Sequence, residues 1–445
     1  MLTLSVGYAQ FPSSRVASQW PFAQNSIWNM PIGSNAVYVP AGIGAPEAWS
    51  VTVDEDILIL TPAASPQDVI KHDAGWSDRL RCESALEPKE VLIADVPIPA
   101  DFSTDPGYNG LRPNHSAALL RADGKTIVQT QPFHICGEGG AAVSQFRPPD
   151  GDLYLGDGIR GAHGGSGMSS IVGTLRMGDL IPNGVIRHAL KVNLYAQKYL
   201  AFNTDETPGY RWPAIRADGY ANADTYQGQV PALEMGALLA LLPSFDIEQL
   251  QTAPARILAQ AFIDYGGYVV DDTAWDVFAL ATEWGPAGRV TDEFKEVWGY
   301  EMETNDKEHP WAQDMILLFT SLQVVDNNSS NAIGGGGTPR QPLAPPFDLT
   351  VVNEDTNQNF QLEIFPNPAH ERLQLRFIGN RPAQIQRIIL WDTMGRARQR
   401  WQNPAMNTGA TDLQLELTLE AGIYYLEFRD KEGRSSVEKL MIANN

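Results

Sequence analysis

The chain has 445 residues, of which 43% are hydrophobic and 19% are charged, which is enough material for two or three domains with full cores. Its formal net charge of −21 argues against a nucleic acid or an anionic membrane as partner, because few basic groups are available to displace phosphate counterions. No apolar run reaches the roughly 18 residues that a membrane-spanning helix needs, so no membrane span is predicted.

The start of the chain and its cysteines indicate an exported protein. Residues 1–10 are apolar, with small residues near their end, and we interpret them as the remnant of a signal peptide. Cys82 and Cys136 are the two cysteines of the sequence. Since two cysteines alone cannot build a zinc site, an oxidising compartment predicts one disulfide between them.

Strand signals dominate the first two hundred residues. Apolar runs predict strands at residues 51–53, 57–60, 117–120, 126–130 and 186–192. The pair Asp123-Gly124 lies between two of these runs and predicts a hairpin turn. The 39 glycines and 31 prolines also favour β structure that is rich in turns.

Helix signals appear later in the chain. Thr252 caps a segment with Pro254 near its start, an apolar face along it and Gly266 at its end. Two more helices are predicted at residues 291–302 and 310–322. The balance predicts a mainly β fold, with a β-sandwich or jelly-roll-like large domain that carries several helices.

A glycine-rich loop is the first candidate for chemistry. Glycine occupies five of the eleven positions 158–168, a density that allows a ligand or another backbone to approach closely. His163 within this loop would be accessible there and would suit proton transfer or metal ligation. The alternative is a tight crossover in which His163 caps a turn.

His188 is a second candidate histidine. It lies in the apolar run at 186–192, and alternation places its side chain with those of Ile186 and Leu190. Two interpretations remain open, a hydrogen-bonded histidine in the core and a pocket-lining histidine that takes part in chemistry.

Two adjacent carboxylates, Asp271 and Asp272, end an apolar run shortly before Trp275. Adjacent strand residues face opposite sides, so we expect only one of the two aspartates to enter a pocket. Desolvation beside apolar residues would raise the pKa of that carboxyl group, as a general acid requires. Helix capping and a calcium site are the alternatives, because clustered Asp suits hard cations.

Aromatic and charged residues are interleaved between Tyr210 and Tyr220, a segment that includes Trp212 and Asp218. Flat aromatic faces beside hydrogen-bonding charged groups are what sugar rings require. We therefore expect Trp212, Tyr220 and Trp275 to bind a glycan, although many tryptophans of a domain this size belong to its core.

Residues 326–358 have the composition of a linker, with clustered asparagine and serine, four consecutive glycines and several prolines. This boundary predicts a catalytic or glycan-binding domain at 11–325 and a smaller domain at 359–445.

The last part of the chain carries a distinctive set of motifs. Pro366-Asn367-Pro368 opens it, an Asp-x-x-Gly-Arg turn follows at 392–396, and Gly422-Ile-Tyr-Tyr-Leu and Lys439-Leu-Met-Ile close it. This segment resembles the type A C-terminal sorting domain of the type IX secretion system of Bacteroidota. The resemblance implies an Ig-like β-sandwich, recognition by the type IX machinery, and release or attachment at the outer-membrane surface.

The stretch from about 150 to 285 resembles a widespread family of secreted bacterial proteins. The shared motifs include Gly173-Thr-Leu-Arg176, Ile186-Arg-His188-Ala-Leu-Lys191, Tyr210-Arg-Trp212-Pro-Ala and Tyr265-Gly-Gly-Tyr-Val-Val-Asp271. The resemblance singles out Arg176, His188, Trp212 and Asp271 and implies no particular activity.

These observations predict an extracellular polysaccharide-active enzyme, in the first place a glycoside hydrolase. Asp271 or Asp272 would be the general acid or nucleophile, with Asp218 or Glu283 as the second carboxylate and His163 and His188 as groups that bind hydroxyls or move protons. A polysaccharide lyase is one alternative, with Arg160, Arg176 or Arg187 neutralising a uronate. A glycan-binding or adhesive surface protein without catalysis is the other. No cofactor is expected, although calcium is possible.

Overall fold

A computed structural model of the chain describes residues 11–47, 51–74, 81–82, 90–104, 114–137, 139–204, 207–347, 360–379, 385–392, 397–402, 412–430 and 435–443. The chain forms two compact units, Met1–Phe347 and Asp348–Asn445. The interpretation of residues 1–10 as a signal-peptide remnant and the predicted turn at 393–396 lie outside the described residues.

The first unit is built on a mixed sheet of eleven strands in the described residues. Along the sheet the order is β1-β16-β12-β13-β11-β14-β2-β5-β6-β9, and β15 pairs with β14. Its strands are β1 (Tyr38–Pro40), β2 (Thr52–Ile59), β5 (Ala117–Leu120), β6 (Thr126–Thr130), β9 (Gly151–Asp152), β11 (Leu190–Leu194), β12 (Leu238–Ala240), β13 (Gly267–Asp272), β14 (Phe278–Gly285), β15 (Gly288–Arg289) and β16 (Gln323–Val325). The predicted hairpin is confirmed, since β5 and β6 pair antiparallel.

A second, four-stranded sheet packs on part of one face of the large sheet. It consists of β3 (Pro66–Lys71), β4 (Val91–Pro97), β7 (His134–Ile135) and β8 (Ala142–Ser144) in the order β4-β3-β8-β7. Its apolar side chains share one core cluster with those of β2, β5 and β6, among them Ile57, Leu119, Val69 and Ile93. The predicted mainly β fold is thus confirmed.

Helices pack against the main core of the unit. They are α1 (Ala196–Tyr199), α2 (Ala253–Asp264), α3 (Val290–Trp298) and α4 (Pro310–Thr320). The predicted start of α2 is confirmed in position, with Thr252 at the N-cap and Pro254 in the first turn, but the Thr252 side chain makes no capping hydrogen bond and donates to Asp314 instead. Leu258 and Phe262 are buried in the main core. The other two predicted helices correspond to α3 and α4.

Four strands of the large sheet bring their ends to one edge. β11 and β13 run parallel and finish there. β14 is antiparallel to β11 and parallel to β2, so the starts of β14 and β2 lie at the same edge. His188 lies before β11, because the strand begins at Leu190 and not at residue 186 as predicted.

Residues 326–347, which the sequence assigns to the linker, belong to the first unit. Arg340 donates from Nη1 to the carbonyl oxygen of Ile263 at 2.6 Å, and Asn328 accepts the Gly334 N–H at 3.0 Å. Gly334 and Gly335 are buried and have positive φ angles, so glycine here serves a tight, packed turn.

The described residues of the C-terminal unit form two small sheets. One consists of β17 (Phe360–Phe365), β18 (Arg372–Gly379) and β21 (Asp412–Glu416), and the other of β19 (Ile385–Asp392), β20 (Ala397–Gln402), β22 (Gly422–Asp430) and β23 (Ser435–Ile442). Alternate residues of both sheets, such as Leu373, Leu375, Leu390 and Leu426, form a common core. This is the arrangement of a β-sandwich.

Candidate functional site

A cleft of about 1290 Å³ opens at the edge where β2, β11, β13 and β14 meet. Asp54 lines it from the start of β2, Asn193 from the end of β11, and Asp271 and Asp272 from the end of β13. Gly164 and Gly165 contribute the glycine-rich loop. The loop and the twin acids, which are distant in sequence, therefore share one solvent-open hollow.

Three carboxylates converge in this cleft. Asp218, Asp271 and Asp272 each place one oxygen within 4.8 Å of the other two. Asp218 comes from the irregular segment after Trp212, so two sequence regions that were singled out independently meet here.

Both adjacent aspartates line the cleft, and the prediction that only one could do so is wrong. Asp271 and Asp272 are the last two residues of β13, and the residues that follow them, Thr273, Ala274 and Trp275, line the cleft as well. The cleft therefore continues past the end of the strand, where side chains from both faces of the sheet can reach it.

The glycine loop is packed directly against the acids. Gly165 donates its N–H to Asp271 Oδ1 at 2.9 Å, and Ser166 donates its N–H to the Val270 carbonyl at 3.0 Å. A Cβ on Gly164 would lie 1.7 Å from Asp271 Oδ2, and one on Gly165 would lie 2.4 Å from Asp218 Oδ2. Side chains at either position would displace the carboxylates, so the loop needs glycine for this contact.

The carboxyl groups of the cleft have raised pKa values. Burial, followed by the charges of Asp218 and Asp54, raises the pKa of Asp271 well above its usual value. Burial also raises the pKa of Asp272 to about 6 and that of Asp54 to about 6. Mutual repulsion among buried carboxylates means that this cluster can hold a proton or a cation.

Tyrosines and an arginine surround Asp218. The Tyr226 hydroxyl donates to Asp218 Oδ2 at 2.6 Å, and Tyr220 hydrogen-bonds to Asp272. Burial raises the pKa of Asp218, whereas the Tyr226 hydrogen bond and the charge of Arg216 lower it. Arg216 also donates to the carbonyl oxygens of Gly164 and Gly165, which ties the loop to this segment.

His163 is buried beneath the loop, with 1% of its surface exposed, so the expectation of an accessible histidine is wrong. Its Nε2 lies 3.5 Å from Asp54 Oδ2 and 3.6 Å from Asp56 Oδ1. Burial, then the charge of Lys191, lowers its pKa to about 3, so the ring is neutral. It lies next to the acids of the cleft but is not itself accessible to a substrate.

The predicted aromatic residues separate into two groups. Tyr220 and Trp275 line the cleft and are 51% and 52% exposed. Trp212 is half-buried, packs against the main core and precedes the cis peptide to Pro213. The structure therefore does not place Trp212 among the residues that line the cleft.

Arg176 and His188 form a structural cluster outside the cleft. Arg176 Nε donates to Glu283 Oε2 at 2.8 Å, and both side chains are largely buried. His188 Nδ1 lies 3.0 Å from the Ala189 carbonyl oxygen, and its Nε2 lies 3.5 Å from Asp179 Oδ2. Their expected roles in substrate binding and proton transfer are not supported, and neither is a catalytic role for Glu283.

Arg160 is also outside the cleft. It is exposed at the start of the short strand β10 (Arg160–His163), where its backbone bridges to Met168.

The predicted disulfide is confirmed, since Cys82 and Cys136 are bonded. Arg81, which lines the cleft, directly precedes Cys82, so the disulfide attaches its segment to the segment of Cys136.

Sequence reasoning did not identify several residues of the site. Asp54 lies in a run of acids between two predicted strands, and its alternation with Asp56 in β2 is the signal that both face one side. Behind Asp54, buried Lys191 donates from Nζ to Asp56 Oδ2 at 2.9 Å. Asn193 donates from Nδ2 to Asp54 Oδ2 at 3.0 Å.

Comparison with known proteins identifies the C-terminal unit. Residues 363–443 match the model of the secretion system C-terminal sorting domain. Residues 363–443 are a type IX sorting domain. The sorting domain indicates export to the cell surface or the extracellular space and interaction with the secretion machinery. Within the described residues, no helix combines the length and apolarity needed to cross a bilayer.

No curated protein matches the chain. Solved structures with some similarity include dimeric latent PorU from Porphyromonas gingivalis, at 17% identity over 19% of this chain and 9% of PorU, with a TM-score of 0.16. CopC from Methylosinus trichosporium OB3b is 19% identical over 19% of this chain and 94% of CopC, with a TM-score of 0.15. The sulfur carrier protein SoxY from Chlorobium limicola f thiosulfatophilum is 7% identical over 20% of this chain and 81% of SoxY, with a TM-score of 0.14. Each similarity covers at most a fifth of the chain.

Proposed function

We propose that the first unit is an extracellular glycoside hydrolase in which Asp218 and Asp272 are the two catalytic carboxylates. The observation that carries this proposal is the convergence of carboxylates in a cleft that also exposes Tyr220 and Trp275. Glycoside hydrolysis normally uses a pair of Asp or Glu residues on either side of the scissile bond. Aromatic faces beside hydrogen-bonding groups suit the apolar and polar faces of a sugar ring.

The choice of Asp218 and Asp272 rests on their orientation. Asp271 is the innermost acid, with Oδ1 accepting the N–H groups of Gly165 and Asp272 and Oδ2 packed against Gly164. Asp218 and Asp272 are instead bonded to the tyrosines of the cleft, Tyr226 and Tyr220. These two carboxylates are therefore the pair better placed to meet a substrate.

The surroundings suggest different roles for the pair. Burial raises the pKa of Asp218, but the Tyr226 hydroxyl and the nearby Arg216 act against that rise. Asp218 is therefore the member of the pair whose ionised form has both a hydrogen-bond donor and a cation beside it, as a nucleophile requires. Asp272 would donate its proton to the glycosidic oxygen while Asp218 attacks the anomeric carbon and the leaving group departs. Water activated by Asp272 would then release the sugar from Asp218. Oxygens within 4.8 Å of each other fit the close spacing of roughly 5–5.5 Å in retaining enzymes better than that of inverting ones.

The lyase alternative has less support. A lyase needs a cation that neutralises the substrate carboxylate, and Arg160, Arg176 and Arg187 lie outside the cleft. Two other arginines line it, but Arg81 is 1% exposed and Arg216 already donates to the carbonyl oxygens of the glycine loop. The non-catalytic alternative uses the same aromatic residues, so only an activity measurement separates it from a hydrolase.

The test uses the purified full chain and a panel of neutral, amino-sugar and uronate polysaccharides. We expect new reducing ends on at least one polysaccharide, without the absorbance near 235 nm that an unsaturated uronate produces. Asp218→Asn and Asp272→Asn should each lower the rate by about 100-fold or more. Asp224→Asn, at an exposed position outside the cleft, is the control and should retain the wild-type rate.

Binding without product would favour the glycan-binding alternative, and absorbance near 235 nm would favour a lyase. Unchanged turnover in both aspartate variants would remove them from the reaction.

A further inference from the structure

A second set of ligand-type atoms lies at the inner end of the cleft. Asp54, His163 and Asp271 each offer one atom, and the three atoms lie within 4.8 Å of one another. We propose that this triad binds a divalent transition-metal ion, and zinc in the first place. The proposal does not rest on the hydrolase activity, because ion binding can be measured without a substrate.

The buried, unpartnered ring of His163 distinguishes this triad from an ordinary cluster of acids. Its side chain is 1% exposed, and neither ring nitrogen has a hydrogen-bond partner among the described residues. Buried polar atoms nearly always have a partner, so such an atom calls for an explanation. A bound ion would supply the missing partner.

The spacing of the atoms fits a metal better than a hydrogen bond. His163 Nε2 lies 3.5 Å from Asp54 Oδ2, which is beyond the usual range for an N–H···O bond. Two ligands at about 2.1 Å from a tetrahedral zinc ion are about 3.4 Å apart. Three protein ligands would leave the fourth position of such an ion for water.

The carboxylates of the triad are oriented by neighbouring groups. Asn193 Nδ2 donates to Asp54 Oδ2 at 3.0 Å, and the Gly165 N–H donates to Asp271 Oδ1 at 2.9 Å. Hydrogen bonds of this kind fix the ligands of metal sites in position. The neighbouring Asp56 is already engaged with Lys191, Thr174 and Ser116, so it is not counted among the ligands.

The ligand types select the ion. Calcium takes six to eight oxygen ligands, and magnesium keeps several waters, whereas an imidazole with carboxylates suits zinc and related transition ions. The calcium considered from the aspartate cluster alone is therefore less suitable here.

The experiment is isothermal titration of the untagged full chain, freed of metal by EDTA and dialysis, with zinc sulfate, manganese chloride and calcium chloride in separate runs. We expect one zinc ion per chain, bound more tightly than calcium. Titration with cobalt(II) chloride should produce the visible absorption bands of a four-coordinate ion.

His163→Gln and Asp54→Asn should each weaken zinc binding by at least about 10-fold. Asp54→Asn keeps the test valid if His163→Gln fails to fold. The Asp54 side chain is 33% exposed, so its replacement leaves the buried core intact. His188→Gln is the matched control, since His188 Nε2 also lies 3.5 Å from one aspartate oxygen but belongs to no ligand triad among the described residues.

Absence of zinc binding to the wild-type chain would overturn the proposal. So would unchanged affinity in Asp54→Asn, because the ion would then be bound elsewhere, and so would tighter binding of calcium. A chain that binds zinc as expected but makes no product would contradict only the proposed hydrolase, whereas product formation without zinc binding would contradict only the metal site.

Discussion

Gly165 and Asp271 are joined by a hydrogen bond of 2.9 Å from the backbone N–H to Oδ1. The bond links the glycine loop to the end of β13, two segments separated by 106 positions of the chain. It fixes the innermost carboxylate of the cleft, and the same glycine lies against Asp218, whose Oδ2 would be 2.4 Å from a Cβ on Gly165. The first prediction addresses this contact.

Gly164→Ala should disrupt the cleft. Gly164 has a φ of +31°, and its Cβ would lie 1.7 Å from Asp271 Oδ2, so the carboxylate must move. We expect product formation and zinc affinity to fall by at least about 10-fold, consistent with the sensitivity of catalysis to displacements of about 1 Å. Initial rates and zinc titration measure the effect.

Gly124→Ala is the matched control for backbone strain. Gly124 has a φ of +65°, and no atom lies within 4 Å of a Cβ there. Its replacement should lower the free energy of unfolding by about 1–2 kcal/mol and leave rates and zinc affinity unchanged. Equal losses of activity in both variants would mean that strain, and not the contact with Asp271, is responsible.

Trp275→Ala should weaken substrate binding. Trp275 is 52% exposed and lines the cleft, and stacking of an aromatic ring contributes about 0.5–1.5 kcal/mol. We expect KM on the active polysaccharide to rise roughly 2- to 10-fold with little change in kcat. Leu155→Ala, which removes a side chain that is 74% exposed outside the cleft, should leave KM unchanged. A fall in kcat without a change in KM would exclude a stacking role.

Acid should destabilise the first unit through His115. The ring is 3% exposed, and burial lowers its pKa to about 4 from an unfolded value of about 6.5. At pH values between 4 and 6.5, the imidazole binds a proton more strongly in the unfolded chain than in the folded one. The stabilisation is therefore complete above pH 6.5, and roughly 3 kcal/mol of it is lost as the pH falls to 4.

The measurement is urea unfolding of the wild type and His115→Gln across this pH range. The variant should show a smaller loss of unfolding free energy between pH 6.5 and pH 4.5, by about 2–3 kcal/mol. Above pH 7 the two should differ by a constant amount. Parallel behaviour over the whole range would show that His115 does not titrate as its burial implies.

Arg176→Ala should act on stability and not on the reaction. Arg176 and Glu283 form an ion pair in which both side chains are 9% exposed, and removal of one partner leaves a buried charge. We expect a loss of about 3–5 kcal/mol in the free energy of unfolding, measured with urea. Replacing both residues by leucine should cost less.

The rate per folded molecule should be the same in Arg176→Ala as in the wild type. A fall in that rate as large as the one in Asp218→Asn would show that Arg176 takes part in the reaction, although it lies outside the cleft.

Local sequence predicted much of the architecture. The hairpin of β5 and β6 depends on its turn residues, and the start of α2 depends on Pro254 in the first helical turn, all of which are close in sequence. The same reasoning was wrong where local pattern and tertiary contact differ. The glycines at 334–337 read as a linker, yet Gly334 and Gly335 are buried against the first unit.

The candidate site could be predicted only in part. Asp271, Asp272, Asp218, Tyr220 and Trp275 were expected at a site and line the cleft. Arg176, His188 and Trp212 were expected there and lie elsewhere, because a sequence pattern does not distinguish a polar residue with a buried partner from one that faces a substrate. Asp54 and Lys191 were missed because their partners are distant in the chain.

The sequence by itself determined the export signal of the sorting domain, the mainly β class and the single disulfide, since each follows from contiguous motifs or from the number of cysteines. Tertiary structure alone decided which acids meet. Parallel and antiparallel pairing of β2, β11, β13 and β14 brings Asp54, Asp271 and Asp272 to one edge, where all three line the cleft. Strand order and register depend on contacts between distant segments, and no local pattern encodes them.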